Sequence, residues 1–314
     1  MKRVQYDCYG GPEEMYVEEC ALPPVRAGEV GVAIRAAAIN PFDWKLRQGA
    51  MKLVTGGRFP RAMGTDFAGV VEAVGEDVTS VRVGDEVFGS IDFKKSGAFA
   101  EAAVVDAAHL VKKPAGLSFA EAACLPIPAM TAWVAIVDKA RVRAGSRVFI
   151  HGCSGAVGAF AVQLARSRGA QVSGACGPAS RVGVAAAGVD PVFDYADKDG
   201  IAQHGMFDAI FDTLGTLDVG EGLSLLNRGG VLVDINPTPA RMLRGMLTRP
   251  YKLAFATAGV KHLPGIAELA DAGILRPTVG REAPFGDALP VIAELEAGAR
   301  AAGRTVLIFE GTSA

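Results

Sequence analysis

Over residues 1–120 the apolar positions come in short runs broken by turn residues. Val30–Ile39, Phe67–Val74, Glu86–Phe88 and Ala98–Val105 read as strands, with glycines at 64, 69, 75, 84, 89 and 97 among them. Closely spaced short strands predict a compact β-barrel or sandwich. The pattern changes near residue 118. Ser118-x-x-Glu121 is a capping box opening an Ala-rich helix, and a second helix follows Pro128 to about Lys139. From Arg147 the periodicity alternates between two and 3.6 residues. It gives strands at Arg147–His151, Gln171–Ala175, Pro191–Asp194, Ala209–Asp212 and Val231–Asn236, with helices at 156–168, 179–187 and 218–226 between them. Such alternation predicts a parallel, doubly wound sheet with right-handed crossovers. A last helix (Ala288–Ala297) and strand (Thr305–Phe309) close the chain.

The stretch RVFIHGCSGAVGAFAVQLARSR, Arg147–Arg168, carries the strongest chemical signal. A β segment runs into Gly152, Gly155 and Gly158 and directly into a helix with Phe160, Ala161 and Leu164 on one stripe. Glycines let the backbone turn tightly and approach a diphosphate. The free N–H groups and positive dipole end of the new helix face the charge. Ser154, Ala156 and Val157 supply further N–H groups and a hydroxyl. The spacing is G-x-x-G-x-x-G rather than G-x-G-x-x-G, so the strand before and the helix after carry the assignment. A unit preferring NAD carries an acid at the end of the second strand. Here that strand is followed by Cys176-Gly177-Pro178-Ala179-Ser180-Arg181. The Ser180 hydroxyl and forked Arg181 guanidinium suit a 2′-phosphate, with Tyr195 as a further donor, so NADPH is the expected cofactor. Arg181 also reads as a solvated helix residue. Leu214 and Asn236 fall at the carboxyl ends of later strands, where ligands bind in such sheets.

Composition narrows the classes. The 314 residues suffice for two domains, and the net charge of −2 without long runs of one sign points to neither nucleic acid nor a membrane surface. No apolar leader or span of about 18 residues is present, which predicts a cytoplasmic protein. The five scattered cysteines (8, 20, 124, 153, 176) contain no C-x-x-C pair and predict reduced thiols.

Asn40-Pro41-Phe42-Asp43-Trp44-Lys45-Leu46-Arg47-Gln48-Gly49 and Gly64-Thr65-Asp66-Phe67-Ala68-Gly69-Val70-Val71 are distinctive, as are Met130-Thr131-Ala132-Trp133, Asp212-Thr213-Leu214-Gly215, Gly229-Gly230 and Gly303-Arg304-Thr305-Val306-Leu307. With the glycine motif, and in this order, they resemble the zinc-independent quinone reductase (zeta-crystallin-like) branch of the medium-chain dehydrogenase/reductases. The resemblance implies an α/β chain with a GroES-like barrel (1–122 and 265–314) and an inserted Rossmann domain (123–264), an active site in the cleft, and a homodimer. Zinc-dependent relatives place a cysteine at Asn40 and a His-Glu pair at Thr65-Asp66, so the chain is expected to be metal-free. Without a Lewis acid, hydride transfer to a quinone or an α,β-unsaturated carbonyl is the expected chemistry. The resemblance puts the Asn40 amide beside the cofactor ring and Thr131 toward the nicotinamide half. Lys45 reads equally as a solvated lysine or as the group that polarises the carbonyl or protonates the enolate. Phe42 and Trp44 read as pocket wall. Two alternatives remain: an enoyl-thioester reductase with Arg241, Arg244 and Arg249 as its basic entrance, and a non-catalytic NADPH-binding structural or sensor protein.

Overall fold

A computed structural model describes residues 1–236, 238–299 and 301–310. The chain divides into two compact units: Met1–Ile127 with Leu263–Asp271 and the described part of Pro277–Ala314, and Pro128–His262 with Ala272–Arg276. The division at 127/128 lies past the 122/123 that the resemblance implies. The Ser118-capped helix Phe119–Ala123 packs on the strands Glu29–Ala38 and Asp66–Val74 and so belongs to the first unit. In the tail, residues 272–276 go with the second unit, because Arg276 and Gln163 exchange hydrogen bonds of 2.8 and 3.2 Å.

The first unit is a mixed β structure. Its seven-stranded sheet runs Val279–Pro284, Arg304–Ile308, Glu29–Ala38, Asp66–Val74, Glu86–Ser90 and Leu110–Lys112, with Ala102–Asp106 also pairing to Glu29–Ala38. A three-stranded sheet (Met15–Glu19, Lys2–Tyr6, Arg61–Ala62) covers the core of Val4, Ile34, Phe67, Phe99, Ile292 and Leu307. The Glu29–Ala38 strand is buried at eight of its ten positions, as expected of a strand that pairs with three neighbours. The strand expected over Ala98–Val105 begins only at Ala102. Gly97, at φ +125°, turns the chain, and the backbone of 97–99 donates to Met63 and Gly64 instead of joining the ladder.

Among the described residues the second unit has six strands, all parallel, in the spatial order Val192–Phe193, Gln171–Ala175, Arg147–His151, Phe207–Asp212, Leu226–Asp234, Tyr251–Leu253. This is the doubly wound order 3-2-1-4-5-6, which reverses between Arg147–His151 and Phe207–Asp212. Between Gln171–Ala175 and Val192–Phe193 the expected helix is split into a turn at Pro178–Ser180 and a short helix Arg181–Ala186. The helix Pro126–Trp133 continues as a π-helical stretch, Val134–Lys139. Among the described residues no helix is long and apolar enough to cross a membrane.

Candidate active site

The glycine turn lies at the carboxyl end of Arg147–His151, beside the point where strand order reverses. Gly152 sits at φ +87°, and a Cβ there would meet Thr213 Oγ1 at 2.3 Å. Only glycine satisfies both the left-handed backbone and the close neighbour. Gly158 is fixed by a different contact: a Cβ would fall 2.1 Å from the Gly152 carbonyl oxygen, so the helix Ala156–Ser167 can pack closely on its strand. Gly155 is exposed and has ordinary room, which leaves its backbone open to a ligand. It is the N-cap of that helix and offers no side-chain cap, so the first-turn N–H groups are free to hold an anion.

Several side chains expected near this turn are brought to it. The Tyr195 ring meets the His151 ring edge-on at 5.0 Å, and its hydroxyl lies beside that of exposed Ser154. Burial pushes the Tyr195 phenol up and the His151 imidazole down, so both are neutral near pH 7. Asn236 Nδ2 donates to the Leu214 carbonyl at 3.4 Å, placing those two residues together. Ser180 is half-buried, while Arg181 is exposed and donates from Nη2 to the Val192 carbonyl at 3.1 Å. Thr131 is buried on the helix Pro126–Trp133. Asp194, which the sequence shows only as a strand end, also stands at this edge. Its carboxylate stands near Cys176, as Arg181 does, but is taken up by the Ala196 N–H at 3.0 Å. Cys153 packs inside the turn beside Cys176 and donates to the Ala175 carbonyl at 3.2 Å, and burial pushes its thiol up to about 12.

A buried ionic group braces the loop after Phe207–Asp212. Asp212 accepts from the N–H groups of Leu214, Gly215 and Leu217 at 3.1, 2.8 and 3.0 Å. Arg241 reaches Asp212 at 3.4 Å, pairs closely with Asp234, and donates to the Leu217 carbonyl at 2.7 Å. Tyr251 donates to Asp234 at 2.7 Å. Arg241 is therefore committed to two buried carboxylates, which removes it from the basic entrance imagined for Arg241, Arg244 and Arg249.

In the first unit the residues Asn40, Phe42, Trp44 and Lys45 ride on the short helix Pro41–Arg47. Arg47, fully buried, fixes that helix by pairing with Glu296 and donating to the Gly10 carbonyl at 2.9 Å. Phe42 meets Phe93 edge-on at 6.0 Å, Trp44 packs on the core, and Lys45 is exposed. Asn40 is only 2% exposed and sits in a polar knot. Its Nδ2 donates to Asp66 at 3.0 Å and to the Ala38 carbonyl at 3.3 Å, while its Oδ1 accepts from Arg304 Nη2 at 2.8 Å. A guanidinium on one side and a carboxylate on the other fix the amide orientation. The Asn40 N–H donates to Asp43 at 2.7 Å, and Thr65 Oγ1 donates to the other Asp43 oxygen at 2.9 Å. Asp66 also accepts from the Ile127 N–H at 3.2 and 3.1 Å. Burial pushes the Asp43 carboxyl up to about 7 and that of Asp66 up to about 6, against the pull of Arg304 and the hydrogen bonds. Arg304 stands out in the sequence only as part of the Gly303–Leu307 motif; its pairing with Asn40, 264 residues away, is visible only in the fold.

Comparison with known proteins agrees with both halves of the chain. Residues 26–115 match the alcohol dehydrogenase GroES-like domain family, and residues 187–307 match the zinc-binding dehydrogenase family. The chain is 30% identical to a quinone oxidoreductase of Sus scrofa, the alignment covering 98% of each protein. It is also 30% identical to the 2-methylene-furan-3-one reductase of Solanum lycopersicum, over 98% of this chain and 79% of that one. The solved quinone oxidoreductase of Coxiella burnetii superposes with a TM-score of 0.88 at 28% identity, covering 99% of both chains. The zeta-crystallin-like resemblance and the barrel-plus-Rossmann architecture both hold, and family membership implies a nicotinamide cofactor. The chain thus belongs to the medium-chain dehydrogenase/reductase superfamily, among its quinone oxidoreductase-like members.

Proposed function

We propose that the protein is an NADPH-dependent, zinc-free reductase of quinones or α,β-unsaturated carbonyls. The Asn40–Asp66–Arg304 knot carries this reading. A catalytic zinc wants three Cys, His or carboxylate ligands around an open position. Here the Asn40 amide and Thr65 hydroxyl are poor ligands already committed to Arg304, Asp66 and Asp43, and Arg304 adds a buried like charge. The donor set does not fit zinc, and among the described residues no three His, Cys, Asp or Glu side chains are grouped to hold a metal ion.

The residues do fit a dinucleotide. Ser154, Gly155, Ala156 and Val157 would hold the diphosphate, Thr131, Leu214 and Asn236 the nicotinamide half, and Ser180, Arg181 and Tyr195 the 2′-phosphate. Arg181 needs only to release one carbonyl to do so. Bound there, NADPH supplies a hydride. The electron pair it delivers ends on the acceptor's oxygen, so the protein must stabilise and protonate that atom. Exposed Lys45 is proposed to donate from Nζ, with Phe42 and Trp44 forming pocket wall and Asn40, its amide held by Asp66, Ala38 and Arg304, fixing the start of the helix that carries them. The enone reductase relative supports conjugated carbonyls as acceptors. The test is NADPH oxidation by chelator-treated protein against quinones, alkenals and an enoyl thioester, with NADH in parallel. Turnover with a quinone or alkenal is the expected result. Saturable NADPH binding without turnover on any acceptor would overturn the enzymatic reading.

A further inference from the structure

With Arg241 locked in its ion pairs, a basic concavity is found instead in the first unit. The first unit contains a cavity of about 680 Å³ between the loop 55–62, the turn 94–97 and the strand segment 102–104. Arg3, Arg58, Arg61, Lys94 and Lys95 line it, and no acidic side chain does. That is a concentration of charge in a protein whose acids outnumber its bases by 34 to 32.

The charge is left largely uncompensated. Arg61 donates to the Thr55 and Lys94 carbonyls, both at 2.9 Å, and Arg3 donates to the Gln5 amide oxygen, so their partners are neutral. Glu18 lies across the strand pair from Arg3, but its carboxylate is taken by Gln5. Asp92, bordering the turn, accepts from the Lys94 N–H. Lys95 approaches Glu29 at 3.5 Å, and among the described residues Arg3, Arg58, Arg61 and Lys94 make no ion pair. Like charges converging on one concavity raise its potential and favour an anion of matching size.

The remaining lining tells what kind of anion fits. Guanidinium forks match phosphate oxygens in a bidentate manner, and Lys94 and Lys95 add point charges. A Cβ added at Gly56 or Gly57 meets nothing within 4 Å, so backbone is open to a ligand on that side. Leu22, Pro23 and Pro60 give an apolar wall for a base or an alkyl arm. The volume lies in the range of about 300–1,000 Å³ usual for small-molecule sites.

We propose that this cavity is a second anion site, separate from the glycine turn, that binds a phosphate-bearing group the size of a nucleoside bisphosphate. The proposal goes beyond the reductase reading and does not depend on it.

The test titrates adenosine 3′,5′-bisphosphate into the full-length protein by calorimetry at low ionic strength, with and without NADPH. Pyrophosphate forms a second arm. The expected result is saturable binding of one bisphosphate per chain, present with NADPH bound. The double variant Arg58→Glu/Lys94→Glu should weaken it by about tenfold or more, and added salt should weaken it too. Both side chains are exposed, so this variant should fold and keep its NADPH affinity. Pyrophosphate binding as tightly as the bisphosphate supports a site for free phosphate groups, whereas tighter bisphosphate binding supports a nucleotide. Absence of saturable binding by either probe, binding untouched by the double variant, or complete displacement by NADPH would each overturn the proposal.

Discussion

Replacing Arg304 by Met removes the one cation of the buried knot while keeping much of its volume, and the loss should depend on pH. In the folded protein the Asp66 carboxyl, pushed up to about 6 by burial, is ionised at pH 8 with Arg304 one amide away. At a separation of roughly 5 Å and an effective dielectric of about 20, that guanidinium is worth about 3 kcal/mol to the carboxylate. Without it the carboxyl titrates above pH 8 and takes a proton instead, so the charge-linked loss at pH 8 is about 2.5 kcal/mol. At pH 5.5 Asp66 already holds its proton for most of the time, and the charge-linked loss falls to a few tenths of a kcal/mol. The broken hydrogen bond to Asn40 adds about 1 kcal/mol at both pH values. The assay is urea unfolding in a Trp133→Phe background, which leaves Trp44 to report on the first unit. Arg304→Met should cost about 3.5 kcal/mol at pH 8 and about 1 kcal/mol at pH 5.5. An equal loss at both would refute a charge-compensating role for Arg304. The parent protein carries the matching sign. Raised carboxylates bind more protons folded than unfolded, so the stability of the first unit should fall as pH rises from about 4 to about 7.

Other perturbations probe the second unit. Arg181→Ala should raise the Kd for NADPH about tenfold and leave that for NADH almost unchanged; equal losses would remove the 2′-phosphate assignment. Gly158→Ala drives a Cβ into the Gly152 carbonyl and should cost about 2 kcal/mol or more in thermal unfolding while abolishing dinucleotide binding. Arg241→Met strands Asp212 and Asp234 in the interior and should destabilise by about 3 kcal/mol. Faster hydrogen exchange at Leu214, Gly215 and Leu217 would show that the loop was what Arg241 braced, and unchanged exchange would exclude it.

Much of this architecture is legible in one dimension because its causes are local. The Gly152–Gly158 turn follows from backbone demands that only glycine meets, and the helix behind it follows from a 3.6-residue apolar stripe. Alternating strand and helix periods dictate a parallel sheet, and the Ser118–Glu121 capping box starts its helix where the residues say it should. Where the sequence misled, a competing contact won. Residues 98–101 have strand composition, but the Gly97 turn delivers the backbone of Ala98 and Phe99 to Gly64 and Met63, and Glu101 donates to Lys2. The helix after Gln171–Ala175 breaks at Pro178–Ser180.

The composition of the site was readable, but its wiring was not. Arg181 and the glycines stand out by residue type and spacing, and Asn40 and Lys45 through the family resemblance. That Arg304 clamps Asn40 against Asp66, and that Arg241 serves two buried aspartates rather than an external phosphate, are pairings across long loops. The same holds for five cations converging on one concavity from three stretches of chain. Sequence fixes local propensity through backbone sterics and periodicity. Which distant charges meet, and which are left without a partner, is decided by the packing that brings their strands and helices together.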